Sequence, residues 1–260
     1  MLRQNILACP RCKRDLQDSP EGVWCSSCLR SYPLLDGMGD MIDFSYPQPL
    51  PCETMRHRHY FDRLAKEYDS LMVRMFGNAE VSFRRGMVRL MDVPSYGLVL
   101  EVGVGTGRNL EVIEEIWSPT LTIYGIDLSP GMLKECVLRA TMIKCSVKLY
   151  LANAEYLPFR DNVFDSVLHF GFINDLANPE RAIKEMVRVA KPGSKVVICD
   201  DGFPPATRQS PIAQYVISRN MSFGTDPPVK YLPTEAQQYQ VQWLLGSFYV
   251  LSFRKGAPAG

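Results

Sequence analysis

The sequence predicts an α/β fold, a mainly parallel sheet covered by helices on both faces and preceded by a small metal-held module. Three observations predict it. Apolar strand-like runs at 98–104, 121–127, 147–153, 164–171 and 195–201 alternate with helical stretches such as "RNLEVIEEIW" and "PERAIKEMVRVA", the rhythm of a parallel sheet. The first run enters a loop with glycine at every second position, "LVLEVGVGTGRNL" (98–110). Near the N-terminus, two C-x2-C pairs lie twelve residues apart.

The bounds agree with one large domain plus an appendage. The chain has 260 residues, 46% of them hydrophobic, enough for a full core. Its formal net charge is +1, from 29 basic and 28 acidic side chains, so no global field draws nucleic acid or an anionic membrane. "MLRQNILACPRC" lacks the long apolar stretch of a secretory signal, and no run approaches the ~18 apolar residues of a spanning helix. A cytoplasmic protein is expected, and the sequence sets no oligomeric state.

Four of the eight cysteines, Cys9 and Cys12 in "CPRC" and Cys25 and Cys28 in "CSSC", have the spacing of two knuckles that close a tetrahedral thiolate site. Residues 1–45 are too few to fold on apolar burial alone, so one structural zinc ion is expected to hold them as a ribbon. A redox dithiol is the competing reading, although one pair would suffice for that. The other cysteines, at 52, 136, 145 and 199, read as small core residues. "SYPQPLPCE", with three prolines, marks a linker over 46–54. The large domain then runs over 55–260.

Within it, Phe61, Leu64, Tyr68 and Leu71 fall at helical spacing, as do Met87, Leu90 and Met91, so two helices precede the glycine loop. Ser129 and Pro130 have the character of an N-cap and first helical residue. "YQVQWLL", Gly246-Ser247 and "FYVLSFRK" predict a terminal antiparallel hairpin with a two-residue turn. The glycine loop is not the dinucleotide fingerprint, because Arg108 stands where the third glycine of G-x-G-x-x-G belongs.

Taken in order, "LEVGVGTG", "YGIDLSPGML", "NAEYLPF" and "FDSVLHFGFINDLANPERAIKEMVRVAKPGSKVVI" resemble the successive motifs of the class I S-adenosylmethionine-dependent methyltransferases, and the resemblance covers residues 55–255. It implies a Rossmann-like sheet of seven strands, five parallel plus the hairpin. It also implies S-adenosylmethionine as cofactor, with Gly103, Gly105 and Gly107 under its methionine end and Asp127 on its ribose. Leu128, Met132 and Ala154 would frame the adenine, and Phe170 and Gly171 would lie beside the methionine moiety. Glu101 suits a ligand carrying an ammonium and a sulfonium where a phosphate site would avoid a carboxylate. Asn153 departs from the family's common aspartate, yet its carbonyl oxygen can still accept from the adenine amine. Tyr68 matches a tyrosine that folds over the cofactor in quinone-biosynthesis relatives, against a plain core aromatic as the alternative.

No catalytic residue is assigned. His57 and His59 read as a solvated face ahead of a helix, and His169 as a satisfied core residue. The motif set is similar to the quinone-biosynthesis methyltransferases, which implies a small or lipid-like acceptor. "ILACPRCKRDL" and "SYPLLDGMGDMI" resemble instead the small zinc-ribbon activators of RNA and protein methyltransferases. The ribbon holds five basic residues (Arg3, Arg11, Lys13, Arg14, Arg30) against six acids (Asp15, Asp18, Glu21, Asp36, Asp40, Asp43), whereas an RNA-gripping ribbon is normally basic. The small-molecule acceptor is favoured, RNA or protein methylation is the alternative, and a non-catalytic binding protein is the third reading. Acceptor contacts are expected in 202–233.

Overall fold

The computed structural model describes residues 6–38, 41–77 and 79–257, so positions 1–5, 39 and 40 of the expected ribbon and 78 and 258–260 of the expected large domain lie outside the described residues. Three short antiparallel strands open the chain, β1 (Gln17–Ser19), β2 (Gly22–Cys25) and β3 (Arg30–Pro33), followed by the two-residue β4 (Asp43–Phe44). The main sheet contains β5 (Leu98–Val102), β6 (Thr122–Asp127), β7 (Ser146–Ala152), β8 (Phe164–Phe170) and β9 (Ala190–Asp201), all parallel. A terminal hairpin of β10 (Ala236–Leu244) and β11 (Phe248–Lys255) completes it, with β11 antiparallel to β9. The spatial order is β10-β11-β9-β8-β5-β6-β7-β4. The direction of winding therefore reverses between β5 and β8, which opens a crevice at the strands' carboxyl ends.

Among the described residues six helices flank the sheet: α1 (Cys52–Phe76), α2 (Ala79–Val88), α3 (Leu110–Ile116), α4 (Pro130–Ala140), α5 (Pro179–Val189) and α6 (Pro211–Arg219). Three start the same way, with a polar cap before a proline. The side chains of Ser129, Asn178 and Ser210 accept from the backbone N–H groups of Met132, Arg181 and Ala213, satisfying donors that the first helical turn leaves free. Along the strands, successive residues enter opposite apolar layers. Val196 and Ile198 of β9 pack with Ile183 and Met186 of α5, and Val197 and Cys199 pack with Met87 and Ile113 of α2 and α3.

The structure differs from expectation at four places. The sheet has eight strands, because β4, from the expected ribbon, pairs in parallel with β7 (Asp43↔Leu151, Phe44↔Ala152). Cys52, Glu53 and Thr54, expected in the linker, already belong to α1, and Cys52 is exposed. The hairpin turn holds three residues, Leu245 to Ser247, since Leu244 pairs with Phe248, and both Leu245 and Gly246 take positive φ. Leu90 and Met91 lie just beyond α2, which ends at Val88.

The ribbon and the sheet share one core. Leu7, Val23, Tyr32, Ile42 and Phe44 join a continuous apolar cluster with Tyr150, Leu157, Phe159 and Phe164. Polar contacts reinforce the junction: Ala8 N–H donates to the Pro158 carbonyl (3.0 Å), Arg160 N–H donates to the Ile6 carbonyl (2.8 Å), and Lys13 Nζ donates to Glu185 (2.5 Å). Phe159 is the centre of this seam, fully buried, with Tyr124, Tyr150 and Phe164 rings 4.9–6.0 Å away. Phe159→Ala is expected to cost roughly 3–5 kcal/mol through the lost burial and the cavity left behind. Urea unfolding followed by tryptophan fluorescence, which includes Trp24 of the ribbon, should shift as one transition; two separated transitions would contradict the shared core.

Candidate active site

At the carboxyl end of β5 the chain turns through Gly103, Gly105 and Gly107, all at positive φ. The N–H groups of Gly103 and Val104 both donate to the Ile126 carbonyl (2.8 Å each), and Gly105 N–H donates to Asp127 Oδ2 (2.9 Å). The turn is thereby fastened to the end of β6. A Cβ at Gly105 would meet nothing within 4 Å, because the position faces open space. Gly107 differs, since a Cβ there would come within 2.9 Å of Cys136 Sγ and Leu110 Cδ1, so its bareness serves the packing of α3 and α4.

That open space is a cavity of about 460 Å3 lined by α1, α2, the turn, the ends of β6 to β9 and the hairpin, well within the range of small-molecule sites. Of the twelve residues expected at the cofactor, ten line it. Gly103 and Gly105 form one wall with Asp127, Leu128 and Met132 beside them. Asn153 and Ala154 follow from the end of β7, Phe170 and Gly171 from β8, and Tyr68 from α1. Glu101 and Gly107 stand behind the wall.

Glu101 is almost wholly buried, and burial pushes its carboxyl up to about 7. Its Oε1 accepts from Asn109 Nδ2 (2.6 Å), while Oε2 has no donor among the described residues. Asn109 Oδ1 accepts from Arg84 (2.7 Å), Arg84 pairs with Glu80, and Glu80 also takes Arg108. The Arg84 guanidinium lies 4.3 Å from the Phe170 ring centroid, so this buried chain also fixes one wall of the cavity. Asp127 accepts one backbone N–H at each oxygen, from Gly105 and from Ser129 (2.8 Å), which leaves further lone pairs at both oxygens. Burial lifts it to about 6 against those donors.

Asn153 has two partners. Its carbonyl oxygen accepts from Glu155 N–H (3.0 Å) and its Nδ2 donates to the Tyr46 carbonyl of the linker (3.1 Å). The second bond explains the departure from aspartate, because a carboxylate could not donate it.

The histidines depart from expectation. His57 lies within α1 and lines the cavity, its ring edge-on to Phe172 at 4.6 Å, while His59 is exposed. His169 is satisfied at one nitrogen only: Nδ1 donates to the Val102 carbonyl (2.8 Å) and Nε2 has no partner among the described residues. Burial lowers its pKa to about 4, so the ring is neutral at pH 7. From 202–233, Asn220 and Phe223 reach the cavity.

Sequence reasoning missed Asp62 and Asp69, one face of α1. Asp62 Oδ1 accepts from Ser129 Oγ (2.6 Å) and Gly131 N–H (2.9 Å), and Asp69 accepts from Thr106 Oγ1 (2.6 Å) and pairs with Arg139. Two carboxylates seven residues apart, two helical turns, thus clamp α1 over the glycine turn and the start of α4. Also missed were Asp200 and Asp201 at the end of β9. Asp200 accepts from the N–H groups of Phe172, Asn174 and Asp201 (2.9 Å each) and holds Phe172 at φ 76°. No signal in the sequence marks these acids apart from their neighbours.

Residues 100–198 match the family model described as "Methyltransferase domain". The matched segment is less than half of the chain. It is 34% identical over 158 residues to a demethylmenaquinone methyltransferase of Geobacillus sp. (strain WCH70), covering 57% of this chain and 64% of that one. The chain thus spans just under two thirds of that relative's length. A ubiquinone/menaquinone biosynthesis C-methyltransferase of Geobacter sulfurreducens is 29% identical over 195 residues, 72% of this chain and 76% of the relative. Among solved structures, Haemonchus contortus phosphoethanolamine N-methyltransferase 2 in complex with S-adenosyl-L-methionine superposes with a TM-score of 0.61 at 15% identity, over 82% of this chain and 62% of that one. At that identity the likeness shows a shared fold.

The raised carboxyls of Glu101 and Asp127 set a pH dependence of stability. Each binds its proton more tightly folded than unfolded, so its contribution is complete below the ordinary carboxylate range and is lost as pH rises through about 6 to 7. The melting temperature of the ligand-free protein is expected to fall between about pH 5 and about pH 8. Glu101→Gln, which keeps an acceptor for Asn109, should flatten that fall by an amount on the order of 2–3 kcal/mol. An unchanged slope in calorimetric melts of the variant would contradict the assignment.

Proposed function

We propose that this chain transfers the methyl group of S-adenosylmethionine to a small, quinone-like acceptor. The observation that carries the reading is the glycine turn, whose bare Gly103 and Gly105 face a cavity that Asp127 enters from the next strand. The fit of the cofactor rests on this chain's own atoms. Asp127 keeps a lone pair at each oxygen for the two ribose hydroxyls, and the Asn153 carbonyl has one more for the adenine amine. Leu128, Met132 and Ala154 supply flat apolar walls to the adenine. Glu101, with one oxygen lacking any donor and its carboxyl raised to about 7 by burial, would be drawn to its charged form by the cofactor's cationic end beyond the turn. Tyr68 on α1 would close over the same end, its hydroxyl kept neutral because burial raises its pKa.

When bound, the cofactor supplies a sulfonium methyl with a neutral leaving group, so the protein's work is mainly to align the acceptor and exclude water. The aromatic rings of Phe61, Phe76, Phe172, Phe223 and Phe248 suit a flat apolar ring system on the far side of the cavity. The names of the relatives support a quinone-like acceptor. Among the described residues no helix is long and apolar enough to cross a membrane.

Cys9, Cys12, Cys25 and Cys28 fit one structural zinc ion. Their sulfurs all lie within 4.8 Å of one another, with Cys9 to Cys28 at 3.8 Å and Cys12 to Cys25 at 3.5 Å, close to the roughly 3.8 Å edge of a tetrahedron with 2.3 Å zinc–sulfur bonds. Tyr32, 3.1 Å from Cys9 Sγ, would donate to the thiolate and orient it. Four thiolates close the coordination sphere, which leaves no position for a reactive water.

Two measurements test these assignments. Calorimetry should show S-adenosylhomocysteine binding that Asp127→Ala weakens by roughly 50-fold or more, through loss of two charge-assisted hydrogen bonds. Binding of NADH without binding of S-adenosylhomocysteine would refute the cofactor. Metal analysis should find one zinc per chain, and a strong chelator should lower the melting temperature of the whole chain in a single transition, because ribbon and sheet share a core. A metal-free ribbon, or a Cys9–Cys12 disulfide, would sink the structural-zinc reading.

A further inference from the structure

We infer that Asp201 is the general base of this domain, the group that takes a hydroxyl proton from the acceptor; the inference rests on the reading of the cavity as the acceptor site. Asp201 is the last residue of β9 and lines the cavity. It pairs across the sheet with Phe248, so the two side chains leave the sheet on the same face. Phe248 is packed by Phe76 at 5.4 Å and Phe83 at 4.8 Å, and Phe83 by Phe170 at 5.6 Å. The carboxylate of Asp201 thus emerges beside an aromatic wall at the end where an acceptor ring would lie.

No described group donates a hydrogen bond to it. Its neighbours are accounted for differently: Asp200 takes three backbone N–H groups, and Asp175 takes the Ser222 hydroxyl (2.8 Å). Asp201 is partly buried, opens onto the cavity and has no donor from the described residues, so its oxygens are free to take a hydrogen bond from a ligand. The charged and titratable groups around it favour the protonated form. Asp200 on its own strand and Asp175 from the turn after β8 repel its charge, and both the Tyr68 hydroxyl of α1 and the Tyr249 hydroxyl of β11 are neutral. Arg84 of α2 and Arg108 share Glu80 and are engaged with it, not with Asp201. Burial first, then the two acids, lift Asp201 to about 7, where a base is half-ionised at working pH.

The step balances as a proton transfer. The acceptor's O–H bond breaks and its electron pair stays on the acceptor oxygen, enriching the ring carbon next to it. A new O–H bond forms on Asp201. That carbon's electron pair forms the new C–C bond to the methyl as the methyl's bond to sulfur breaks; the carbon then loses its hydrogen as a proton while the oxygen regains one, so one proton is released overall, and Asp201 passes it to solvent through the cavity.

The test uses the full chain with a short-chain 1,4-naphthoquinol as methyl acceptor, and 1-naphthol as a binding probe of the protein loaded with S-adenosylhomocysteine. For Asp201→Asn, kcat should fall by roughly 10²-fold or more while S-adenosylhomocysteine affinity stays within about twofold. The wild-type kcat/KM should rise with pH through about 7, a limb that Asp201→Asn loses and Asp201→Glu keeps. Naphthol affinity should rise by roughly tenfold as Asp201 ionises, and not at all in Asp201→Asn. Wild-type turnover and pH profile in Asp201→Asn would overturn the inference and leave the proposed function intact. Failure of the naphthoquinol to react, with naphthol binding still linked to residue 201, would refute the quinone-like acceptor and uphold the base. Absence of both refutes both.

Discussion

The hydrogen bond from Gly105 N–H to Asp127 Oδ2, 2.9 Å long, ties the turn after β5 to the end of β6, and the rest of the site is arranged around it. Without a Cβ at 103 and 105, the backbone can curl tightly enough to return two N–H groups to the Ile126 carbonyl while keeping its outer edge open to the cavity. The same carboxylate takes Ser129 N–H, and Ser129 caps α4. One side chain therefore fixes the floor of the site and the entry of the helix beside it. It still has lone pairs to spend on a ligand.

Above this floor, α1 is held by carboxylates and not by an apolar stripe. In most surface helices the apolar face packs on the core. Here Phe61, Leu64, Tyr68 and Met72 line the cavity instead, and Asp62 and Asp69 do the docking through Ser129, Gly131, Thr106 and Arg139. Such polar anchors suit a lid, because they fix direction and register while leaving the apolar face free for a ligand ring. The left-handed Phe172, held by Asp200, meets that face from the opposite side through Phe61 at 5.3 Å and His57 at 4.6 Å.

What the sequence made legible was local. The five parallel strands, the Ser129-Pro130 helix start, the glycine turn and the four-cysteine spacing all rest on residues within a few positions of one another, where periodicity, capping and knuckle geometry are strong signals. What stayed hidden was long-range. β4 is two residues long and carries no alternation, so its pairing with β7 more than a hundred positions away left no trace. Asp69 with Arg139, and Glu101 with Asn109 and Arg84, look like ordinary charged and polar residues until the fold brings them together. The histidine pair reads as lying ahead of the helix because the apolar helical spacing begins only at Phe61, whereas α1 starts at Cys52, directly after Pro51, as proline before or at a first turn allows. His169 shows the same limit: its strand was legible, yet only the fold reveals that one ring nitrogen is paired and the other is not.

The position of the ribbon follows from the edge it covers. β7 would otherwise end the sheet with a row of free N–H and C=O groups, a template for unwanted pairing. β4 takes part of that row, Ala8 and Ile6 pair with the segment at Pro158 to Arg160, and Lys13 reaches Glu185 of α5. The four-cysteine cluster is joined to this seam through Tyr32, which touches Cys9 Sγ at one end and packs on Phe44 at 5.2 Å along its ring. From Phe44 the chain runs on to Tyr46, whose carbonyl takes the Asn153 amide, and whose ring is flanked by Arg30 and Tyr156. Asn153 lines the cavity. The thiolate cluster and the cavity wall are thus consecutive members of one packed and hydrogen-bonded series, so the order of the ribbon bears directly on the placement of a residue in the site. An asparagine at 153 is what that series requires, since only an amide can give a proton to Tyr46 and still offer an oxygen to Glu155 N–H and to a ligand.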